Sequence, residues 1–295
     1  MDNIQYTQLI LTALLAAKRA GKAILEVYNS DFAVERKDDN SPLTLADKRS
    51  HEIIMNDLRK TVAIKNSKHT HNNLTLPILS EEGRDIPYDE RKGWEYFWLV
   101  DPLDGTKEFI KRNGEFTVNI ALIHKNNPVL GVIYVPVKDT FYFAAIDIGA
   151  YKLTNSKIVT GKLSMKELLD KSQRLPISIN DKKASLTIIG SRSHATKEFS
   201  EFIEHIKEKH GEVELVSAGS SLKFCLVAEG IADVYPRFGP TMEWDTAAGQ
   251  AIVEQVEGRV IDIQTKEPLR YNKRNLLNPF FIITGQNPRI VKVLP

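Results

Sequence analysis

Apolar positions recur at helical spacing through residues 4–28, where Ile4, Leu9, Ile10, Leu14, Leu15, Ile24, Leu25 and Tyr28 predict one long amphipathic helix. The run Asp38-Asp39-Asn40-Ser41-Pro42 breaks that period and predicts a turn. A second helix is predicted over about 46–62, with Ile53, Ile54 and Leu58 facing inward. Thr44 and Asp47 at its start have the spacing of a capping box, with Asp a weaker third-position partner than Glu or Gln. Residues 64–75 are polar and aperiodic and predict a surface loop.

The period then changes. Residues 77–80 and 96–100 predict short strands that run straight into acidic residues. Residues 117–124, 129–135 and 140–146 are β-rich runs separated only by Asn126-Asn127-Pro128 and Pro136. Such close spacing predicts an antiparallel meander rather than helical crossovers. Residues 152–185 are Lys-rich and irregular, with one short helix predicted at 164–171, and read as an insertion or connection. Beyond them, strands at 186–190, 213–216, 232–235, 259–263 and 280–284 alternate with helices at 196–209, 222–229 and 246–256. Alternation predicts an α/β layer. The chain is therefore expected to divide near residue 150 into an α+β half, 1–150, and an α/β half, 151–295.

Composition narrows the class. The 295 residues are 42% hydrophobic, enough for a substantial core. Forty Lys and Arg against 38 Asp and Glu leave a net charge of +2, without the basic excess of a nucleic-acid binder. A single cysteine, Cys225, excludes an internal disulfide and a multi-Cys zinc site. No run approaches the ~18 apolar residues of a membrane span. Lys18-Arg19 follows the apolar run at 9–17 instead of preceding it, the wrong order for a signal peptide. A soluble cytoplasmic protein without integral membrane contact is expected, with a peripheral contact at the inner membrane left open.

Candidate chemistry gathers where strands end. In Phe97-Trp98-Leu99-Val100-Asp101-Pro102-Leu103-Asp104-Gly105-Thr106-Lys107-Glu108-Phe109 an apolar strand stops and two carboxylates follow three residues apart. Pro102 fixes its own φ and Gly105 permits a tight turn, so Asp101 and Asp104 can face one point. Gly105, Thr106 and Lys107 would open a helical turn whose free N–H groups suit a phosphate. Hard oxygen ligands beside an anion site describe Mg²⁺ chemistry. Ile78-Leu79-Ser80-Glu81-Glu82-Gly83 also ends a strand in carboxylates, and Glu243-Trp244-Asp245-Thr246-Ala247-Ala248-Gly249 puts Asp245 at a helix start. Taken singly, each of these residues also reads as an ordinary turn or cap. Together they place four acidic positions from both halves in one cleft, where crowded like charge calls for cations. No Walker motif occurs, and carboxylates three apart rather than two disfavour an aspartyl-phosphate phosphatase.

These motifs, with Gly190-Ser191-Arg192-Ser193-His194, Gly219-Ser220-Ser221-Leu222-Lys223 and Ala232-Asp233-Val234-Tyr235-Pro236-Arg237, resemble the Mg²⁺-dependent, lithium-sensitive inositol monophosphatase superfamily. Within it the chain resembles the 3′(2′),5′-bisphosphate nucleotidase branch, over nearly its whole length. The segments at 64–75 and about 154–180 look longer than that family's core. The resemblance implies an α-β-α-β-α sandwich like that of inositol monophosphatase and fructose-1,6-bisphosphatase. It implies Glu81, Asp101, Asp104 and Asp245 as ligands of two or three Mg²⁺ ions, with the Leu103 carbonyl added. Asp47 and Thr106 would form the pair that activates the attacking water, and Gly105 and Thr106 would contact the transferred phosphate. His194, Ser220, Lys223 and Arg237 would line the nucleotide site, the last two for the 5′-phosphate. Cys225, in an apolar helix, is expected to be a core residue and not a nucleophile. His69 and His71 in the polar loop are read as incidental, and Lys37 is left outside the site.

The function implied is hydrolysis of the 3′-phosphate of adenosine 3′,5′-bisphosphate to AMP and phosphate, clearing a by-product of sulfate activation. An inositol or sugar monophosphatase is the competing enzyme, disfavoured by the Ser-Arg-Ser-His and Gly-Ser-Ser-Leu-Lys segments. A noncatalytic nucleotide- or metal-binding sensor is the competing class, disfavoured because all the acidic positions, Asp47 and Thr106 are retained.

Overall fold

The computed structural model describes residues 3–36, 42–60, 75–177, 185–191 and 196–286. The first half opens with α1 (Asn3–Tyr28), a hairpin of β1 (Val34–Arg36) and β2 (Pro42–Thr44), and α2 (Leu45–Arg59). Then come β3 (Ile78–Ser80), α3 (Tyr88–Arg91), β4 (Tyr96–Asp104), α4 (Thr106–Ile110), β5 (Thr117–His124), β6 (Asn127–Val135) and β7 (Thr140–Ala145). β8 (Gly149–Thr154), α5 (Met165–Asp170) and β9 (Gln173–Arg174) complete this region. The remainder runs β10 (Leu186–Ser191), α6 (Lys197–His210), β11 (Val213–Ala218), α7 (Leu222–Ala228), β12 (Val234–Arg237), α8 (Glu243–Glu254), β13 (Arg259–Asp262) and β14 (Phe281–Thr284).

Two sheets organise these elements, one ordered β3-β4-β5-β6-β7-β8-β9 and one ordered β11-β10-β12-β14-β13. From β4 to β9 every pairing is antiparallel, as the short connections predict, and only β3–β4 is parallel. Side-chain alternation assigns the layers. Trp98 and Val100 of β4 pack with Leu14 and Ile24 of α1 and Ile54 of α2. Phe97 and Leu99 point the other way, into a core shared with Phe224 and Cys225 of α7, Ile252 of α8 and Ile283 of β14. The far face of the second sheet carries Ile188, Val234 and Ile282 against Phe202, Ile203 and Ile206 of α6. The result is the expected α-β-α-β-α sandwich.

Several boundaries differ from expectation. β4 does not end at Val100 but continues to Asp104, because β5 keeps supplying partners through a bulge. α8 begins at Glu243, so Asp245 is its third residue rather than its cap. β12 runs to Arg237 because β14 pairs with it there. Within the segment expected to be irregular, β8 and β9 extend the first sheet, so the change of sheet falls between Arg174 and Leu186, later than residue 150. α5 forms where a short helix is predicted, capped by Ser164 and Glu167. The 64–75 loop lies outside the described residues except for Thr75.

Candidate active site

The acidic end is built by strand registry. β3 and β4 run side by side with Ser80 opposite Val100, so both chains leave the sheet together and the Glu81 N–H donates to the Val100 carbonyl at 3.1 Å. Asp101 pairs with Asn119 and Asp104 with Thr117, leaving Pro102 and Leu103 in a bulge opposite Val118. A bulge tolerates proline, which has no N–H for the ladder. It also turns Asp101 back on itself: its Oδ1 accepts the Leu103 N–H at 3.0 Å. The Ser50 hydroxyl donates to the Pro102 carbonyl at 2.6 Å, tying α2 to this turn. Gly105 then adopts φ 91°, a left-handed conformation that suits glycine, and starts α4.

Three elements meet at Ser221. Its hydroxyl oxygen lies 2.6 Å from Asp104 Oδ2 and 2.8 Å from the Asp245 carbonyl, and accepts from Asn119 Nδ2 at 2.9 Å. Asp245 Oδ2 accepts the Met242 N–H at 2.8 Å across the first turn of α8. On the opposite side, Thr106 Oγ1 donates to Asp47 Oδ1 at 3.1 Å, while Asp47 Oδ2 accepts the Thr44 N–H at 2.7 Å and hydroxyl at 2.6 Å. The expected capping box of α2 thus forms with Asp, and the same carboxylate reaches the expected catalytic threonine.

Electrostatics mark this end as strained in charge. Burial, then the carboxylates of Glu81, Asp104 and Asp245, push Asp101 well above the ordinary carboxylate range. Burial, then Asp104 and Glu81, push Asp245 up likewise. Asp47 is raised by burial, with its Thr44 hydrogen bonds opposing. Among the described residues no three His, Cys, Asp or Glu side chains stand arranged to hold an ion, the carboxylates being turned to protein donors instead. The donor chemistry nevertheless fits a hard divalent cation: mutually repelling carboxylates, that of Asp101 fully buried, and a bulge carbonyl supply only oxygen.

A cavity of about 180 Å³ joins this acidic end to a basic one. Asp104, Gly105, Asp245, Ser220, Lys223 and Arg237 all line it. Lys223 is buried, its ammonium 3.4 Å from the Ala218 carbonyl and 5.4 Å from the centroid of the Tyr235 ring. Burial lowers its pKa to about 8, with Asp104 opposing and Arg237 adding to the fall. Arg237 Nη2 donates to the Pro240 carbonyl at 3.0 Å, whereas among the described residues its buried Nε has no acceptor. Buried donors are normally paired, so this one reads as reserved for an anion. A second hollow of about 310 Å³ shares Lys107, Tyr235 and Arg237 and is walled by Phe199, Pro236, Phe238 and Pro240.

The structure thus brings Asp101, Asp104 and Asp245 into mutual electrostatic reach with Glu81, pairs Asp47 with Thr106, and collects Gly105, Ser220, Lys223 and Arg237 around one cavity. Leu103 buries its side chain in the first core while its carbonyl lies 3.5 Å from Thr106 Oγ1. His194 lies outside the described residues, as do Lys37, His69 and His71. Cys225 is fully buried, its thiol pushed up by that burial, as befits a core residue. Sequence reasoning missed Asn119 and the bridging role of Ser221. Only the second sits in a motif, directly after Ser220.

The sequence profile of inositol monophosphatases matches residues 5–287, and the chain belongs to the inositol monophosphatase family. Within it, the chain is 45% identical over 272 residues to the 3′(2′),5′-bisphosphate nucleotidase CysQ of Salmonella typhimurium, covering 91% of this chain and 96% of that protein. The protein of the same name from Haemophilus influenzae is 36% identical over 280 residues, covering 94% and 93%. The crystal structure of CysQ from Bacteroides thetaiotaomicron matches with a TM-score of 0.84 at 47% identity, over 97% of this chain and all of that one (100%). The IMPase of Thermotoga maritima, at 22% identity and a TM-score of 0.69 over 100% and 97% of the two chains, shares the fold.

Proposed function

We propose that this chain is a Mg²⁺-dependent phosphatase that removes the 3′-phosphate of adenosine 3′,5′-bisphosphate, leaving AMP and phosphate. The carrying observation is one cavity lined by both Asp104 and Asp245 and by Lys223 and Arg237. A substrate with one phosphate to lose and one to keep accounts for both signs of charge. The neighbouring hollow with Phe199, Pro236, Phe238 and Pro240 suits a flat base. Kinship with bisphosphate nucleotidases along 91% of the chain supports the same reading.

In this reading Glu81, Asp101, Asp104, Asp245 and the Leu103 carbonyl hold Mg²⁺, in two or three ions. When bound, Mg²⁺ supplies Lewis acidity toward phosphate oxygens and lowers the pKa of coordinated water. Asp47 Oδ1 takes the hydroxyl proton of Thr106, which leaves the Thr106 oxygen free to accept a proton from the attacking water. The Gly105 and Thr106 N–H groups orient the transferred phosphate, whose bond to O3′ breaks as the water oxygen bonds to phosphorus, with O3′ leaving as an alkoxide that solvent water protonates to the 3′-hydroxyl of AMP. Ser220, Lys223 and Arg237 grip the 5′-phosphate, with the unpaired Arg237 Nε as a donor. His194 completes the nucleotide site.

Lithium sensitivity, a cytoplasmic setting and clearance of the nucleotide by-product of sulfate activation follow from the same reading. Among the described residues no helix is long and apolar enough to cross a membrane. The test is phosphate release from adenosine 3′,5′-bisphosphate and from inositol 1-phosphate, with Mg²⁺ and after chelation. Strong preference for the nucleotide, abolished by chelator and restored by Mg²⁺, is expected. Preference for the inositol ester would overturn the substrate while sparing the family.

A further inference from the structure

Glu108 is a carboxylate in an unexpected place for an anion pocket. It stands in the first turn of α4, two residues beyond Thr106, and lines the cavity together with Asp104, Lys223 and Arg237. The chain makes room for it: a Cβ on Gly219 would stand 2.8 Å from Glu108 Cγ. The neighbouring Glu115 is occupied, its Oε2 accepting the Gly219 N–H at 2.8 Å. Glu108 is different. Among the described residues its carboxylate takes part in no hydrogen bond and no ion pair, although its charge favours the protonated form of Lys223, and its backbone carbonyl accepts the Asn113 N–H at 3.3 Å.

A carboxylate without a hydrogen-bond donor, facing a doubly phosphorylated anion, weakens binding by Coulomb repulsion unless the ligand offers it a hydrogen. The proposed substrate does so at one point of its sugar. With the 3′-phosphate held by the metal-binding carboxylates and the 5′-phosphate at Lys223 and Arg237, the ribose lies between these two groups. Its only free hydroxyl is at C2′. We infer that Glu108 is a specificity-determining residue that accepts a hydrogen bond from the ribose 2′-hydroxyl, so that the site selects ribonucleotide over deoxyribonucleotide bisphosphates. This inference rests on the nucleotidase reading above and adds to it the sugar the site selects.

The test compares adenosine and 2′-deoxyadenosine 3′,5′-bisphosphate as substrates of the full chain with Mg²⁺, for the wild type, Glu108→Gln and Glu108→Ala. The wild type is expected to favour the ribonucleotide in kcat/KM by roughly ten- to a hundredfold, the range of a hydrogen bond to a charged acceptor. That ratio should fall to about one in Glu108→Ala and lie between in Glu108→Gln, which keeps a neutral acceptor. Thermal melting of each variant separates lost folding from lost recognition. The same ratio in all three proteins overturns the inference. So does an equal loss on both nucleotides, which would make Glu108 only a counter-charge to Lys223. A variant that changes discrimination between adenosine and inosine bisphosphates, and not the sugar ratio, would assign Glu108 to the base instead. If neither nucleotide is turned over while inositol 1-phosphate is, the nucleotidase reading fails and the sugar assignment falls with it. Turnover of the ribonucleotide with an unaltered sugar ratio refutes the Glu108 inference alone.

Discussion

Asp101 is almost completely buried among other carboxylates, and among the described residues no Lys or Arg forms an ion pair with it. Such a residue costs folding free energy and is kept for what it binds. Asp101→Asn is therefore expected to lower turnover about a hundredfold or more, beyond the usual loss for a residue that merely supports a metal ligand. Its melting temperature without Mg²⁺ should stay equal or rise, since a repelling charge is removed. Unchanged turnover would remove Asp101 from the ligand set. Lys223 makes a second prediction at this scale. Its pKa is lowered to about 8, so the free protein loses this cation as pH rises through that value. The bisphosphate's kcat/KM, which reports the free enzyme, should then fall above about pH 8. Lys223→Arg should flatten that limb, because a guanidinium stays protonated. An identical alkaline limb in both proteins would assign the titration to another group.

Elements were legible wherever one period ruled. The helical stripe of α1 and the β-rich apolar runs of β5, β6 and β7 give nearly the observed ranges. The Asp101–Asp104 turn hid the end of β4, because a proline and a bulge carry no alternation and its pairing comes from β5. The start of α8 was hidden for a different reason. Glu243 resembles a solvated turn residue, yet it is fully buried and accepts the Asn272 N–H at 2.7 Å and the Lys273 ammonium at 2.7 Å. Those partners arrive from far along the chain. Packing of α8 on the first sheet is also close enough to require glycine. A Cβ at Gly131 in β6 would stand 2.3 Å from the Ala248 carbonyl oxygen. Gly131→Ala should separate strand and helix at a cost of about 1–3 kcal/mol in urea unfolding. It should also raise the Mg²⁺ concentration needed for half-maximal activity, because α8 carries Asp245. Unaltered stability would show that the contact yields freely.

Across the whole molecule, the middle core joins residues of both sheets through α7 and α8, so the two halves are expected to unfold in one transition. A buried polar contact reinforces the join. Lys152 of β8 lies 2.7 Å from Glu229, just past α7, and the Tyr142 hydroxyl of β7 donates to the same carboxylate. Glu229→Ala strands both partners and should cost about 3 kcal/mol, near the lower end for a broken buried pair because Lys152 keeps some access to water. Urea unfolding measures this. Two separate transitions, or a negligible change, would show that the halves are stable independently of this contact.

The sequence by itself determined the periods, hence the order and kind of most elements. It also determined the acidic motifs and the family they resemble, because these are local properties of neighbouring residues. Tertiary structure alone decided which carboxylates meet and that Ser221 lies between Asp104 and the Asp245 carbonyl. Among the described residues it also left Arg237 Nε without an acceptor, and it set Glu108 in the same cavity as Lys223. Coulomb energy and hydrogen bonding act over a few ångströms of space, and sheet registry and helix packing bring residues 100 or more positions apart in the chain within that range, as with Ser221 and Asp104.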